Sequence, residues 1–331
     1  MVQTTDPLGR TTKYTWCTCG GLSTLTDANG NVTTWGLDDQ GRVTSKTYAD
    51  SSAINYVYET NTSRLHTMTD ARSNVATYSY NADNTLSGTA YTPASGVATT
   101  PNVSFTYDSV YNRVTSMVDG TGTTQYSYNP VNGHLGAGRL GSVTVPIKGT
   151  GDTASVTYTT TSNATGYDEL GRVVAYGIDQ ATTNANNVGT TFDALGRVTG
   201  VSNALGAFTY AYVDQTSRLS GVTYPSGTGL SASYSYFGNT GDQRLETIQN
   251  MNGSTQLSKF SYTYNPVGTI ATWTQQADSG TAVVNTLSYD NADQLVSDVQ
   301  SGGGSASNAY GYDPAGNRLS ETTGGVIGTA N

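Results

Sequence analysis

The side chains in this sequence whose types could do chemistry belong mostly to one short pattern, Tyr-Asp-x-x-Gly-Arg. A phenol, a carboxylate and a guanidinium group this close together could transfer a proton or bind an anion. The clearest copy runs from Tyr167 to Arg172, and related copies begin at Phe192 and Tyr312. Because the pattern recurs along the whole chain, it is better explained as a repeated structural unit than as an active site.

We therefore give the residues of this pattern a structural role and predict no catalytic residue. Partial copies of the pattern, which begin at residues such as Leu37, Tyr58 and Tyr264, bring the average repeat to about 25 residues. The residues assigned to the structural repeat are Tyr107, Asp108, Arg113, Tyr167, Asp168, Gly171, Arg172, Phe192, Asp193, Gly196, Arg197, Tyr212, Arg218, Tyr312, Asp313, Asn317 and Arg318.

Other residues that could act as nucleophiles, bases or ligands are few. His66 and His134 are far apart in the sequence, and no nucleophile elbow or phosphate-binding loop is present. Cys17 and Cys19 are the only cysteines, and on a strand a mutual disulfide between residues i and i+2 has unfavourable geometry. We expect inert thiols, with a disulfide to another chain or redox chemistry as alternatives. No metal and no cofactor are predicted.

The elements that must position these residues are β-strands. Upstream of the pattern, polar residues alternate with aromatic or apolar ones, as in Phe208–Tyr212 and Phe260–Tyr264, which is the period of a strand. Downstream, β-branched residues indicate a return strand. Between the two, Asp-x-x-Gly predicts a turn in which Asp accepts backbone N–H groups and Gly adopts a positive φ.

Two details of this turn follow from the residue types. Where Gly is missing from the pattern, we expect Asn112 and Asn317 to adopt the left-handed conformation in its place. Arg begins the return strand, where it can bridge to Asp or stack on an aromatic ring. Each copy is therefore a β-hairpin, and neighbouring hairpins should align their tyrosines in ladders.

The predicted fold is all-β, with essentially no helix. It is a continuous antiparallel strip of hairpins over residues 1–331, which should curl because twisted sheets rarely stay open beyond about ten strands. The interval between Tyr128 and Tyr167 is longer than the others, which predicts an inserted loop or a degenerate repeat around 136–162. No separate catalytic domain is expected. Repeat turns near both ends suggest a fragment of a longer array.

Composition limits the partners. Only 12% of the residues are charged, compared with about 25% in average proteins, and the net charge is −9. A basic surface for nucleic acid is therefore missing, and no apolar run is long enough to insert in a membrane. The neutral, polar composition is typical of extracellular β proteins, so we expect a secreted or cell-surface protein.

The repeats resemble those of the RHS or YD-repeat family, which includes bacterial RHS effectors, the cocoon-forming components of toxin complexes, and teneurins. The resemblance extends from Asp6 to about Thr323 and is closest over Tyr167–Val173. In this family the repeats form a β-strip that spirals into a hollow shell, and in the toxins the shell encloses a C-terminal toxin. The core segment with an autoproteolytic site that usually follows is not visible after Arg318.

The resemblance implies a non-enzymatic extracellular scaffold whose shell encloses or displays a toxin or effector domain. One alternative is a structural or adhesive surface fibre formed when edge strands of separate subunits pair. A saccharide-binding module and a glycan-directed enzyme are less favoured. The expected partners are further repeats of the same or a longer chain, an enclosed toxin domain, a surface protein or a glycan.

Overall fold

The structure is a computed structural model that describes residues 2–131, 133, 135–147, 149–158, 166–179, 186–303, 306–324 and 326–329. In chain order, its strands β1 to β28 are Val2–Thr5, Thr11–Trp16, Leu22–Thr26, Val32–Leu37, Val43–Thr47, Ala53–Tyr58, Leu65–Thr69, Val75–Tyr80, Leu86–Thr92, Val103–Tyr107, Val114–Asp119, Gly122–Tyr128, Leu140–Pro146, Thr153–Thr157, Ala175–Ile178, Asn187–Phe192, Val198–Asn203, Gly206–Tyr212, Leu219–Thr223, Leu230–Tyr236, Leu245–Asn252, Thr255–Tyr264, Ile270–Ala277, Val283–Tyr289, Leu295–Ser301, Ala306–Tyr312, Arg318–Thr323 and Val326–Thr329.

The predicted all-β class is confirmed. The strands belong to one unclosed antiparallel sheet. The part of the chain that the structure describes contains no α-helix, and a short 3₁₀ turn spans Asn239–Gly241. Within the interval 136–162, the described residues form β13 and β14, whereas 148 and 159–162 lie outside the described residues.

The chain divides into two compact units. Unit 1 consists of Met1–Ser73 and Ala232–Asn331, and unit 2 is Asn74–Ser231. In unit 1, β1 to β7 pair in sequence order, and so do β21 to β28. In unit 2, β8 to β19 also pair in sequence order.

Hairpins of the repeat carry a bulge directly before the residue that ends their first strand, which is aromatic in most of them. In the hairpin of β18 and β19, Ala211 pairs with Gly221, but the next residue, Tyr212, pairs with Leu219. A register shift at this point is expected where a type I turn is followed by a left-handed residue. The same shift precedes Leu37, Tyr58, Tyr80, Tyr107, Tyr128, Phe192, Tyr264, Tyr289 and Tyr312. The bulge therefore fixes the aromatic residue at the end of its strand.

The sheet has little core in the usual sense. Among the described residues, the buried apolar side chains are those of Ala76, Tyr167, Pro225 and Ala232, and no large side chain is fully buried. Most strand residues have intermediate exposure. The burial of apolar side chains that stabilises a two-layer domain is therefore small in this chain. Contacts between neighbouring hairpins must supply much of the stability, as they do in other repeat proteins.

Candidate functional site

The turn after each aromatic residue is closed by a carboxylate. Asp193 Oδ1 accepts the N–H groups of Leu195 and Arg197, each at 2.9 Å. Its Oδ2 accepts Nε of Arg197 at 2.6 Å. Gly196 has a φ of 79° and donates its N–H to the Asp193 carbonyl oxygen at 3.0 Å. The same arrangement holds Asp168–Arg172, with Gly171 in the left-handed conformation, and Asp38–Arg42.

These contacts favour the ionised carboxylate. The N–H of Arg42 is the largest single cause that lowers the pKa of Asp38, and the Arg42 guanidinium adds to it. The N–H of Val110 has the same effect on the pKa of Asp108, with Arg113 contributing next. A carboxylate with a lowered pKa is a poor general acid, because catalysis favours a pKa near the working pH. Holding the turn closed is the chemistry that these aspartates are suited to.

The arginine that closes one turn also contacts the aromatic ring of the next hairpin. Cζ of Arg197 lies 4.5 Å from the centre of the Tyr212 ring. A guanidinium group at this distance is attracted to the face of the ring. Equivalent contacts join Arg42 to Tyr58, Arg113 to Tyr128, Arg139 to Tyr167, Arg172 to Phe192 and Arg244 to Tyr264.

The tyrosine hydroxyl makes a second contact to the preceding hairpin. Tyr212 Oη donates to the carbonyl oxygen of Val198, the residue after Arg197, at 2.7 Å. The same bond joins Tyr58 to Val43, Tyr107 to Leu86, Tyr128 to Val114, Tyr167 to Leu140, Tyr264 to Leu245 and Tyr312 to Leu295. We use the term aromatic lock for the closing arginine, the carbonyl group after it, and the ring of the next hairpin.

Not every predicted residue occupies its expected place. Neither Asn112 nor Asn317 has a positive φ, so the predicted left-handed role of these asparagines is wrong. In the turn Asp313–Asn317, Gly316 is the left-handed residue, with a φ of 89°. Asn317 takes the place of the closing arginine and donates its Nδ2 to Asp313 at 2.9 Å. The turn at Asn112 is one residue longer, and Arg113 donates its N–H to the carbonyl of Tyr111 at 2.7 Å.

Two arginines of the pattern have other surroundings. Arg318 begins β27, lies 5.8 Å from the centre of the Tyr310 ring and pairs with Glu321 at 3.1 Å. The Arg218 N–H donates to the hydroxyl of Thr216 at 3.2 Å, so a threonine closes this turn. The pattern therefore keeps its geometry while its residues vary.

The expectation for the cysteines is wrong. Cys17 and Cys19 form a disulfide with each other, with Cα atoms 5.2 Å apart. They lie in the turn after β2 and not on a strand, and the reversal of the chain there brings residues i and i+2 within bonding reach. The spacing of the repeat contained the missed signal, since Gly20 follows Cys17 at the distance at which Gly follows Asp in other turns.

Within unit 1, turns from the two segments of the chain meet. Arg10 donates Nη2 to Oδ1 of Asp293 at 2.9 Å and Nη1 to the Asp290 carbonyl at 3.2 Å. Asn29 Nδ2 donates to Oδ2 of Asp290 at 2.9 Å. In each of these contacts the two partners are more than 260 positions apart in the sequence. No local pattern could have predicted that they meet. Hairpin turns of this fold can therefore bind one another at their tips.

A cavity of about 510 Å³ lies elsewhere in unit 1, and it too is lined by residues from both segments of the chain. Asp70 and Arg72 line it from one segment, and Asp313 and Arg318 line it from the other. The charges on its walls are balanced, and no histidine is present in its lining. In the part of the chain that the structure describes, no group of side chains could hold a metal ion. His134 lies outside the described residues.

The geometry defines a class of protein, an all-β repeat protein in which many of the hairpins are held to the next by an aromatic lock. The family model described as RHS Repeat matches two stretches of the chain, residues 21–53 and 192–228. No curated protein matches the sequence. Among the described residues, no helix has both the length and the apolar character needed to cross a membrane.

Solved structures share the fold. The chain is similar to a Tc holotoxin pore from Photorhabdus luminescens, with 15% identity, a TM-score of 0.63, and coverage of 95% of this chain and 17% of that one. It is also similar to the TcdB2-TccC3 crystal structure, with 16% identity, a TM-score of 0.64, and coverage of 99% of this chain and 19% of that one. The chain thus spans less than a fifth of the length of the chains it matches.

Proposed function

We propose that this chain is a non-enzymatic segment of a shell wall, secreted or displayed at the cell surface, that encloses or presents another domain. The aromatic lock is the observation that carries the proposal. It engages Tyr212 and Arg197 in contacts between neighbouring hairpins, and Asp193 holds Arg197 in place within its own turn, so the three residue types that could do chemistry have structural partners. A wall needs this kind of contact, because each hairpin is stable only beside its neighbours.

The relatives support the same role. The fold is shared with structures of a Tc toxin complex, and the chain corresponds to a small part of their length. A wall segment is expected to be one part of a longer protein. The resemblance to RHS proteins adds the expectation that the enclosed domain is a toxin or effector. The proposed role involves neither membrane insertion nor nucleic-acid binding.

Limited proteolysis of the full-length gene product tests this proposal. We expect a non-repeat domain to survive proteinase K while the wall is intact. Weakening the lock with the double variant Arg197→Gln and Tyr212→Phe should expose that domain to cleavage. Leu195→Ser is the matched control, since this side chain is 58% exposed at the tip of the same turn.

Cleavage of the non-repeat domain at the same rate in all three proteins would contradict enclosure. Fibres in electron micrographs of the intact protein would favour the alternative, a surface fibre formed by strand addition. A glycan-degrading activity that one Asp or His substitution abolishes would show that the chain is an enzyme.

A further inference from the structure

One turn departs from the aromatic lock at three coordinated positions. Cys17 stands where the complete turns have Asp38, Asp168 or Asp193, and Gly21 stands where they have the closing arginine. In the next hairpin, Leu37 stands where others have the tyrosine. This pair of hairpins therefore has no guanidinium group over a ring and no hydroxyl donor to the preceding carbonyl.

The disulfide occupies the space of the missing lock. Cys17 Sγ accepts the N–H of Gly21 at 3.3 Å, in the place where an aspartate oxygen would accept it. A Cβ atom added at Gly21 would lie 3.7 Å from each sulfur and would collide with Leu37 Cδ1. Gly21 and Leu37 thus fit together beside the sulfur atoms, which explains why the three substitutions occur together.

Little else closes this turn. Its backbone bonds run from the Cys17 N–H to the Gly21 carbonyl at 3.0 Å and from the Gly20 N–H to the Cys17 carbonyl at 3.1 Å. The equivalent turn Asp38–Arg42 has the same two backbone bonds and adds three to the carboxylate of Asp38. Of these two turns, only Cys17–Gly21 contains a covalent bond that a thiol can reduce.

We propose that Cys17–Cys19 is a redox modification site, at which an external dithiol reduces the disulfide and releases the turn. Cys19 is exposed whereas Cys17 is partly buried, so the attacking thiolate reaches Cys19 Sγ and Cys17 leaves as a thiolate. The second thiol of the reagent then displaces Cys19. Two electrons pass from the dithiol to the protein, and the products are two cysteine thiols and a cyclic disulfide of the reagent.

Alkylation and hydrogen exchange on the full chain test this site. Dithiothreitol followed by N-ethylmaleimide should add two adducts to the folded protein, as seen by intact mass. Exchange of the Cys17 and Gly20 amides should become roughly tenfold faster on reduction, because the turn then opens locally. The turn Asp38–Arg42 is the internal control and should not change.

Either of two results would overturn the proposal. The first is a folded chain that gains no adducts under conditions in which the unfolded chain gains two. The second is reduction that leaves the exchange of the Cys17–Gly21 turn unchanged. Neither result bears on the shell-wall function, which rests on the turns that carry the lock.

A variant that installs the lock gives an independent test. Cys17→Asp, Cys19→Gln, Gly21→Arg and Leu37→Tyr together copy the turn Asp38–Arg42 and its neighbouring ring. This variant has no cysteine, so the exchange of its turn should match that of the oxidised wild-type protein both with and without dithiothreitol. If the variant does not fold, Cys19→Ser replaces it and should show, without reductant, the exchange rate of the reduced wild-type protein. A Cys19→Ser chain as protected as the oxidised wild type would contradict the proposal.

Discussion

The hydroxyl of Tyr212 offers the cleanest perturbation of an aromatic lock. Tyr212→Phe removes the 2.7 Å hydrogen bond to the Val198 carbonyl but leaves the ring beside Arg197. Its matched control is Tyr210→Phe on the same face of β18. In the described part of the chain, the Tyr210 hydroxyl makes no hydrogen bond.

The size of the effect follows from the single bond lost. An intramolecular hydrogen bond contributes a net of about 0.5–1.5 kcal/mol, so Tyr212→Phe should lower the free energy of unfolding by about 1 kcal/mol. For a cooperative unit of 150–250 residues this corresponds to a fall in Tm of about 2–4 °C. Tyr210→Phe should change the free energy by no more than about 0.5 kcal/mol, as is usual away from specific contacts.

Thermal denaturation followed by near-UV circular dichroism measures the difference, with both variants and the wild type at the same protein concentration. Hydrogen exchange of β17 and β18 shows whether the loss is local, as expected for a repeat protein. Equal Tm values for Tyr212→Phe and Tyr210→Phe would refute the reasoning, because the bond from hydroxyl to carbonyl would then contribute nothing.

Three further predictions concern neighbouring features. Phe192 already has Arg172 over its ring but lacks a hydroxyl, so Phe192→Tyr should raise the free energy of unfolding by about 0.5–1.5 kcal/mol; an unchanged or lower urea midpoint would contradict this. A Cβ at Gly166 would collide with the Tyr158 and Ala175 carbonyl oxygens, whereas one at Gly149 meets nothing within 4 Å. Both glycines have a positive φ, so both variants carry backbone strain, and Gly166→Ala should lower Tm much more than Gly149→Ala does because only it adds a collision. Equal decreases in Tm would show that the backbone strain alone matters. The N–H of Val110, and after it the Arg113 side chain, lower the pKa of Asp108 in the folded protein. The contribution of Asp108 to the free energy of unfolding is therefore complete above the pKa of the unfolded state and is lost as the pH falls through the pKa of the folded state. The urea midpoint should hold from pH 7 to about pH 5 and fall below about pH 4; a midpoint that rises on acidification would contradict this.

The sequence predicted what depends on a few adjacent residues. Period-two alternation and Asp-x-x-Gly act within one hairpin, so the strands and turns around Asp168 and Asp193 follow from local chemistry. The left-handed conformation was misplaced at Asn317 because Gly316 adopts it in a turn of the usual length. It was misplaced at Asn112 because the turn from Asp108 to Arg113 is one residue longer and none of its residues has a positive φ. Turn length varies from copy to copy, and the pattern does not show it.

The contacts between hairpins could not be predicted at the same level. The recurring tyrosines suggested ladders of rings. The hydrogen bond from the Tyr212 hydroxyl to the Val198 carbonyl, however, depends on the bulge that orients the ring toward the preceding hairpin. The Cys17–Cys19 disulfide was missed because cysteine does not look like a residue that closes a turn. The contact of Arg10 with Asp293 depends on the path of the whole strip, which no short pattern contains.

The central claim is that these repeats form a wall, and an electron cryo-microscopy map of the full-length gene product tests it most directly. We predict that the hairpins of this segment surround an internal space that holds density for a non-repeat domain. A map in which both faces of the strip lie in open solvent, with no enclosed space, would contradict the claim.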